Sequence, residues 1–294
     1  MSAAGHVALV CGGRTAATST DIAETLEAEG FSVTPVATGD SLATRLSDLA
    51  PDAVLIAGLD PKDNDGRVQG VCETLGLAYT HSGIAATALA ADRHLLKLVF
   101  KSAGLPVTDH VLADGAEIVR THVLPPPYVV KPRFAGRGGA AILVRHAGEA
   151  LPEGLRGRAS GGGEPMMVER FVPGMTLLAF VMGDVAIGVA ALTDRRGGTA
   201  NEILIPAPIS PKIYEECMRL ALRGHGALGC RGVTALALRY DDRQAAGTPV
   251  VLGLDPLPDL GRTAPLSQIA ARAGHSFGEL LRWLVQDASC GKVV

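Results

Sequence analysis

The sequence predicts an α/β fold with a doubly wound parallel sheet at its N-terminus and an α+β part after it. Apolar strand runs at residues 7–11, 31–36 and 53–57 alternate with helical patterns at residues 18–30 and 42–49. This βαβαβ order is typical of a parallel sheet with helices on its faces. From residue 107 onward, strand runs outnumber helical patterns. We therefore expect a domain boundary near residue 90.

Local signals justify the N-terminal elements in turn. Pro35 lacks a backbone N–H, which predicts that its strand either lies at a sheet edge or is short. Gly30 and Gly76 close the helices that precede them, since glycine accepts the left-handed backbone of a helix end. Residues 77–80 are predicted to form a short strand. Asp92 is a capping residue for a helix over residues 92–103.

The later part is predicted to be rich in strands, with two further helices. Helical periodicity of apolar residues marks residues 213–224 and 276–288. Strands are predicted at residues 107–112, 128–131, 140–144, 166–171, 177–182, 185–191, 232–240 and 249–254.

Composition excludes several classes of protein. The chain has 294 residues, of which 47% are hydrophobic and 19% charged, so it is globular rather than disordered. A net charge of −3 argues against nucleic acid or an anionic membrane as partner. No run approaches the roughly 20 apolar residues of a membrane span. Five dispersed cysteines without metal-ligand spacing are typical of reduced thiols, which predicts a cytoplasmic location.

The stretch over residues 127–139 is a candidate anion-binding site. A β-branched run ends in Lys131, Pro132 stops the strand, and a glycine-rich loop with two arginines follows. Glycine leaves backbone N–H groups accessible, and the basic side chains add positive charge, which suits phosphate. The same pattern also fits a hairpin with a solvated basic loop, so this stretch alone does not decide. The loop residues concerned are Arg133, Gly136, Arg137, Gly138 and Gly139.

Ordered motifs along the chain connect it to a known family. They include Val-Val-Lys-Pro at residues 129–132, Met-Val-Glu-Arg-Phe-Val-Pro-Gly at 167–174 and Leu-Gly-Cys-Arg-Gly at 228–232. Together with residues 7–13, 66–83, 91–107 and 270–277, they resemble the D-alanine–D-alanine ligase family of the ATP-grasp superfamily. The resemblance implies a pre-ATP-grasp domain at residues 1–90, followed by two ATP-grasp lobes at 91–175 and 176–294.

The resemblance also implies a reaction and residues for it. Members phosphorylate one D-alanine carboxylate with ATP, the amine of a second D-alanine attacks the acyl phosphate, and two Mg²⁺ ions neutralise the phosphates. Lys131 matches the phosphate-reaching lysine, and Glu169 matches the acceptor of the adenine amine. Phe171 and Val172 match the wall on which the ring stacks, and Arg93 stands where the family has another ATP lysine.

Several family positions carry different residues here. Asp255 falls about where a metal-bridging glutamate is expected, but the more ordinary interpretation, a loop aspartate, is favoured. The phosphate loop has Arg137 and Gly138 in place of two serines, and the substrate lid is shortened to residues 193–199. Six further functional positions of the family carry other residues. Ala17 stands at the position of the substrate-anchoring glutamate, Leu59 at that of the substrate-loop histidine, and Thr176 at that of the ribose-binding glutamate. Ala235, Ala237 and Leu257 stand at the positions of the charge-stabilising arginine, the metal-binding aspartate and the metal-binding asparagine.

These departures favour one hypothesis and leave two open. Loss of one preorganised charge-stabilising group costs about 10²–10³ in rate, and several are absent together. We therefore expect a ligase-like protein with impaired or no catalysis, in a binding or scaffold role linked to peptidoglycan synthesis. The alternatives are an active ligase, and a module that binds another anion. ATP stays a possible ligand, Mg²⁺ is doubtful, a homodimer is implied by the family, and no protein partner is indicated.

Overall fold

We describe the protein from a computed structural model. The description covers residues 5–12, 16–60, 63–135, 141–147, 165–193, 202–241, 243 and 247–291. Most of the predicted phosphate loop, residues 136–139, and most of the predicted lid, residues 194–199, lie outside these ranges.

The N-terminal elements form a three-stranded sheet that is parallel, as predicted. Its strand order is β2-β1-β3. Its strands are β1 (His6–Cys11), β2 (Ser32–Ala37) and β3 (Ala53–Ala57). The helices α1 (Ala16–Ala28) and α2 (Leu42–Leu49) connect them. Pro35 lies in β2, at the edge of the sheet, so the prediction made from its missing N–H is confirmed.

Three helices lead from this sheet to the next part of the chain: α3 (Arg67–Leu75), α4 (Ile84–Ala91) and α5 (Arg93–Ser102). The predicted cap of α5 is confirmed, because the Asp92 carboxylate accepts the backbone N–H groups of His94 and Leu95. The strand predicted at residues 77–80 is wrong. Only Tyr79 makes isolated bridges there, to Val54 and to Ser289 near the C-terminus.

A four-stranded antiparallel sheet follows, in the order β4-β7-β5-β6. Its strands are β4 (His110–Ala113), β5 (Tyr128–Pro132), β6 (Ile142–Val144) and β7 (Met166–Arg170). The short helix α6 (Gly115–Arg120) lies between β4 and β5 in the chain. This sheet places Lys131 on β5 next to Glu169 on β7.

The largest sheet has five antiparallel strands in the order β10-β9-β8-β11-β12. They are β8 (Met175–Met182), β9 (Val185–Thr193), β10 (Glu202–Leu204), β11 (Val233–Tyr240) and β12 (Val250–Asp255). One face packs on α5 and on α7 (Pro211–Ala227), because alternate strand residues such as Leu177 and Ala179 point that way. Leu178 and Phe180 point to the opposite face.

The C-terminal helices return to the N-terminal sheet. They are α8 (Pro265–Arg272), which sequence patterns missed, and α9 (Phe277–Asp287), which lies within the predicted range. Leu280, Leu281 and Leu284 of α9 share one apolar core with Leu9 of β1 and Leu55 of β3. The described helices include none that is both long enough and apolar enough to span a bilayer.

Candidate functional site

The first part of the site is a cavity of about 270 Å³ between the four-stranded and five-stranded sheets, which we call the strand pocket. Strands β5 and β7 supply Lys131 and Glu169, because both side chains lie on the sheet face that lines it. The chain after β7 adds Phe171 and Val172. The structure thus brings together four residues singled out from sequence. The full lining is Val129, Lys131, Ala141, Leu143, Glu169, Arg170, Phe171, Val172, Arg239 and Leu252.

Glu169 is the centre of a buried ion network. Its side chain is 2% exposed, and its Oε2 lies 2.9 Å from Lys97 Nζ. The same oxygen accepts a 2.9 Å hydrogen bond from Thr108 Oγ1, and Oε1 pairs with Lys131 Nζ. Burial alone would raise the pKa of Glu169, but the two lysines outweigh it and hold the pKa at about 2. The carboxylate is therefore ionised and already paired.

Lys97 was missed by sequence reasoning. It lies on α5 with its side chain 1% exposed, on the same buried stripe as Leu96 and Phe100. Its Nζ also lies 2.7 Å from Thr108 Oγ1. A lysine among the inward positions of an amphipathic helix was the available signal, because a buried cation requires a partner.

Arg93, predicted to bind nucleotide, and Arg133, predicted in the phosphate loop, are both held by protein groups. Arg93 Nη1 donates to the carbonyl oxygens of Pro132, at 2.8 Å, and Phe134, at 3.1 Å. Burial lowers the pKa of Arg93, and Glu169 opposes that effect. Arg133 Nη2 lies 2.7 Å from the Asp92 carboxylate. Arg93 thus fixes the start of the loop, and Arg133 links it to the cap of α5.

The second part of the site, the central cavity, has a volume of about 390 Å³ and mainly apolar walls. The strand register explains part of these apolar walls. Ala235 of β11 pairs with Asp255 of β12, and Ala237 pairs with Gly253 on the same two antiparallel strands. Residues two apart share a sheet face, so both alanines line the cavity. The remaining lining is Ala90, Arg93, Leu96, Ala135, Leu178, Phe180, Leu252, Leu254, Pro258, Asp259, Pro265 and Leu266.

Two carboxylates lie at one end of the central cavity. Asp255 Oδ1 accepts the backbone N–H of Leu257 at 2.9 Å, and Asp259 Oδ1 accepts that of Gly261 at 2.8 Å. The Asp255 side chain is solvent-exposed, but it lies in a recess that protein atoms surround. This burial, with a smaller contribution from the charge of Asp259, raises the pKa of Asp255 above its ordinary value.

The described residues offer few side-chain oxygen ligands for magnesium, which requires near-octahedral oxygen coordination. In the described ranges, no group of three or more His, Cys, Asp or Glu side chains is placed to hold a metal. Asp255 and Asp259 are the carboxylates that line the central cavity. These two carboxylates are the described protein ligands available for the two Mg²⁺ ions that the family resemblance implies, and ATP phosphates and water would have to supply the other oxygens.

The other positions that depart from the family pattern are spread around the site. Thr176 Oγ1 accepts a 2.8 Å hydrogen bond from Arg239, which also donates to the carbonyl of Val172. Leu59 lines a cavity of about 410 Å³ that adjoins the central cavity and shares Asp255 with it. Leu257 is buried in the core beside the N-terminal sheet. Ala17 lies in α1, and its side chain is outside the description.

Comparison with known proteins establishes the family. A comparison with models of protein families gives no match. The D-alanine--D-alanine ligase of Chelativorans sp. (strain BNC1) is 41% identical over 304 aligned residues, which cover 97% of this chain and 98% of the relative. The chain belongs to the D-alanine–D-alanine ligase family. The D-alanine--D-alanine ligase of Methylocella silvestris is 40% identical and covers 98% of this chain and 99% of its own. The family predicted from sequence motifs is thereby confirmed.

Solved structures confirm the fold. The D-alanine--D-alanine ligase of Bacillus anthracis complexed with ATP superposes with a TM-score of 0.80 at 18% identity, over 96% of each chain. A second structure of that ligase gives the same TM-score at 17% identity. The fold class is therefore the predicted α/β ATP-grasp architecture. The bound ATP belongs to the first of these Bacillus anthracis structures.

Proposed function

We propose that this protein is a nucleotide-binding member of its family that does not carry out efficient D-alanine ligation, and that it acts as a binding or scaffold protein linked to peptidoglycan synthesis. One observation carries the proposal: Ala235 and Ala237 line the central cavity. The family resemblance implies a charge-stabilising arginine and a metal-binding aspartate at these two positions. Methyl groups at both positions can neither donate a hydrogen bond nor ligate a metal.

The size of the expected defect supports this proposal. Acyl-phosphate formation concentrates negative charge, and catalysis depends on preorganised charges around it. Each missing group costs about 10²–10³ in rate. Arg93 lines the central cavity and keeps its charge, but its Nη1 is fixed by the backbone carbonyls of Pro132 and Phe134.

The nucleotide part of the proposal rests on the strand pocket. Lys131 supplies positive charge, Phe171 and Val172 supply an apolar wall, and Glu169 supplies a carboxylate. A pocket with apolar walls and a few polar groups is typical of small-molecule sites. The ATP complex of the Bacillus anthracis ligase, whose fold is shared, adds support.

An active ligase is the second candidate, and the relatives favour it. Proteins named D-alanine--D-alanine ligase match nearly the whole chain at about 40% identity. On this alternative, ATP activates a D-alanine carboxylate in the central cavity, with Arg93 or Arg239 replacing part of the missing charge.

D-alanine-dependent phosphate release separates the two candidates. The purified protein is incubated with Mg-ATP, with and without D-alanine, beside the Chelativorans ligase as a positive control. We expect no D-alanine-dependent release above the ATP-only background, while the control turns over. Robust release that disappears in a Lys131→Met variant would establish the active ligase instead.

The remaining assignments are proposals carried by sequence patterns or by the resemblance. They are the domain limits at residues 90 and 175, assembly as a homodimer, and a cytoplasmic location. Direct roles for Gly136, Arg137, Gly138 and Gly139 in holding phosphate also remain proposals, whereas Asp255 is still interpreted as a loop aspartate rather than a metal ligand.

A further inference from the structure

We propose that Lys97 is a positioning residue: it is the counter-ion that allows Lys131 to exchange Glu169 for a nucleotide phosphate. This inference rests on the proposed nucleotide binding and deepens it. It concerns a residue that does not line the strand pocket and would act through Glu169.

The three charged side chains are buried to different extents. The side chains of Lys97 and Glu169 are 1% and 2% exposed, whereas that of Lys131 is 19% exposed. Lys97 is therefore fixed inside the protein, while Lys131 has access to the strand pocket. Of the two lysines, only Lys131 can reach a ligand without unpacking α5.

The two oxygens of Glu169 have separate partners. Oε2 is held by Lys97 Nζ and Thr108 Oγ1, both at 2.9 Å, while Oε1 is held by Lys131. When Lys131 moves away, Oε2 keeps both of its partners. Oε1 is then released on the pocket side, where it can accept an N–H such as the exocyclic amine of adenine.

Charge balance makes this exchange feasible. The network holds one carboxylate and two ammonium groups, so it has one positive charge in excess. A buried carboxylate that loses its only cation is strongly destabilised. Because Lys97 remains, Lys131 leaves without creating an unpaired buried charge, and its positive charge becomes available to a phosphate. Without Lys97, Lys131 would be the remaining lysine partner of Glu169 and would be retained there.

The test compares ligands with and without phosphates. Calorimetric titrations with ATP, ADP and adenosine are run on the wild type and on Lys97→Met. We expect adenosine affinity to change by no more than about twofold, and ATP affinity to fall by about 10- to 100-fold, because hydrogen bonds to charged groups are strong. A general loosening of the pocket would instead weaken ATP and adenosine equally.

Further variants keep the test sharp. Lys101→Met removes one positive charge from the exposed side of the same helix and should leave the ratio of ATP to adenosine affinity unchanged. Lys97→Gln keeps a hydrogen-bond donor for Glu169 and replaces Lys97→Met if that variant does not fold. Lys97→Met combined with Glu169→Gln removes both buried charges, which releases Lys131 and should restore part of the preference for ATP.

The outcomes are distinguishable. If the wild type binds neither ATP nor adenosine, the proposed function and this inference both fail. If the wild type prefers ATP and the Lys97 variants keep that preference, or lose both ligands equally, only the role of Lys97 is overturned. A selective loss of ATP affinity, partly restored in the double variant, establishes it.

Discussion

The strand pocket and the central cavity lie close together but differ sharply in charge. The strand pocket borders Glu169, which pairs with two lysines, one of them fully buried. The walls of the central cavity are mostly small or apolar, including Ala235, Ala237 and Gly253. In the strand pocket Lys97 depends on Glu169 for stability, because removing the carboxylate leaves a buried charge without its partner. In the central cavity, an alanine has no charge and therefore creates no unpaired buried charge.

This difference separates residues that are explained by stability from residues that are explained by function. Lys131 and Glu169 are part of a network that stabilises the fold, so their presence has a structural explanation as well as a functional one. Ala235 and Ala237 have neither a charge nor a polar side-chain group, so they take no part in such a network. The central cavity is therefore informative about catalysis, whereas nucleotide binding has to be measured directly.

The largest expected effect breaks the strand-pocket network. Glu169→Gln leaves Lys97 buried without a carboxylate, so we expect the free energy of unfolding to fall by about 3–5 kcal/mol. Chemical denaturation of the wild type and the variant measures it. Glu216→Gln, which breaks an exposed ion pair with Arg219, is the matched control and should cause a much smaller change. Equal changes in the two variants would contradict the structural role of Glu169.

The next effect concerns ligand affinity rather than stability. Lys131→Met removes the pocket-facing cation but leaves Glu169 paired with Lys97 and Thr108. We expect ATP affinity to fall by about 10- to 100-fold. Adenosine affinity should stay unchanged or rise, because Glu169 Oε1 is freed for the adenine amine. Calorimetric titration measures both. An equal loss for both ligands would mean that Lys131 shapes the pocket rather than binding phosphate.

A smaller effect tests the central cavity. Ala237→Leu adds apolar volume to an open apolar space, so we expect stability to stay constant or to rise by up to about 1–2 kcal/mol. Thermal and chemical unfolding measure this change. A loss of more than about 2 kcal/mol would indicate overpacking and contradict an open cavity at this position.

The smallest effect depends on pH. The pKa of Asp255 is raised in the folded protein, so ionisation of this side chain costs stability as pH rises through that pKa. Asp255→Asn removes the cost and keeps the acceptor for the Leu257 N–H. We expect the variant to be more stable than the wild type at neutral pH and equally stable below the ordinary aspartate pKa of 3.8. Denaturation curves across this range measure it, and a variant less stable at neutral pH would reverse the assignment.

Much of the fold was predictable, because periodicity reports directly on burial. Alternation of strand and helix patterns predicts the parallel N-terminal sheet, and Pro35 predicts its edge strand. The short helix α8 was missed because its eight residues give little periodic signal. Residues 77–80 have a strand-like composition but obtain only bridges, because pairing depends on neighbours that are distant in sequence.

Four residues of the strand pocket were singled out from the sequence, but their interactions were not predictable. Motifs place Lys131, Glu169, Phe171 and Val172 in one pocket, and spacing by two places Ala235 and Ala237 on one face. The role of Lys97 depends on contact between α5 and β7, which local pattern does not encode. Likewise, Arg133 looks like a phosphate ligand in sequence, whereas in the structure its guanidinium binds Asp92.

Titration of the protein with ATP, in Mg²⁺ and again in excess chelator, tests the central claim most directly. A charged strand pocket beside a central cavity with few described metal ligands predicts saturable binding under both conditions, with Kd values that agree within about threefold. Binding that appears only with Mg²⁺, or tightens by about tenfold or more with it, would contradict this prediction, because the Mg²⁺ complex of ATP would then be the form that the site recognises. Absence of binding under both conditions would show that the strand pocket serves stability alone.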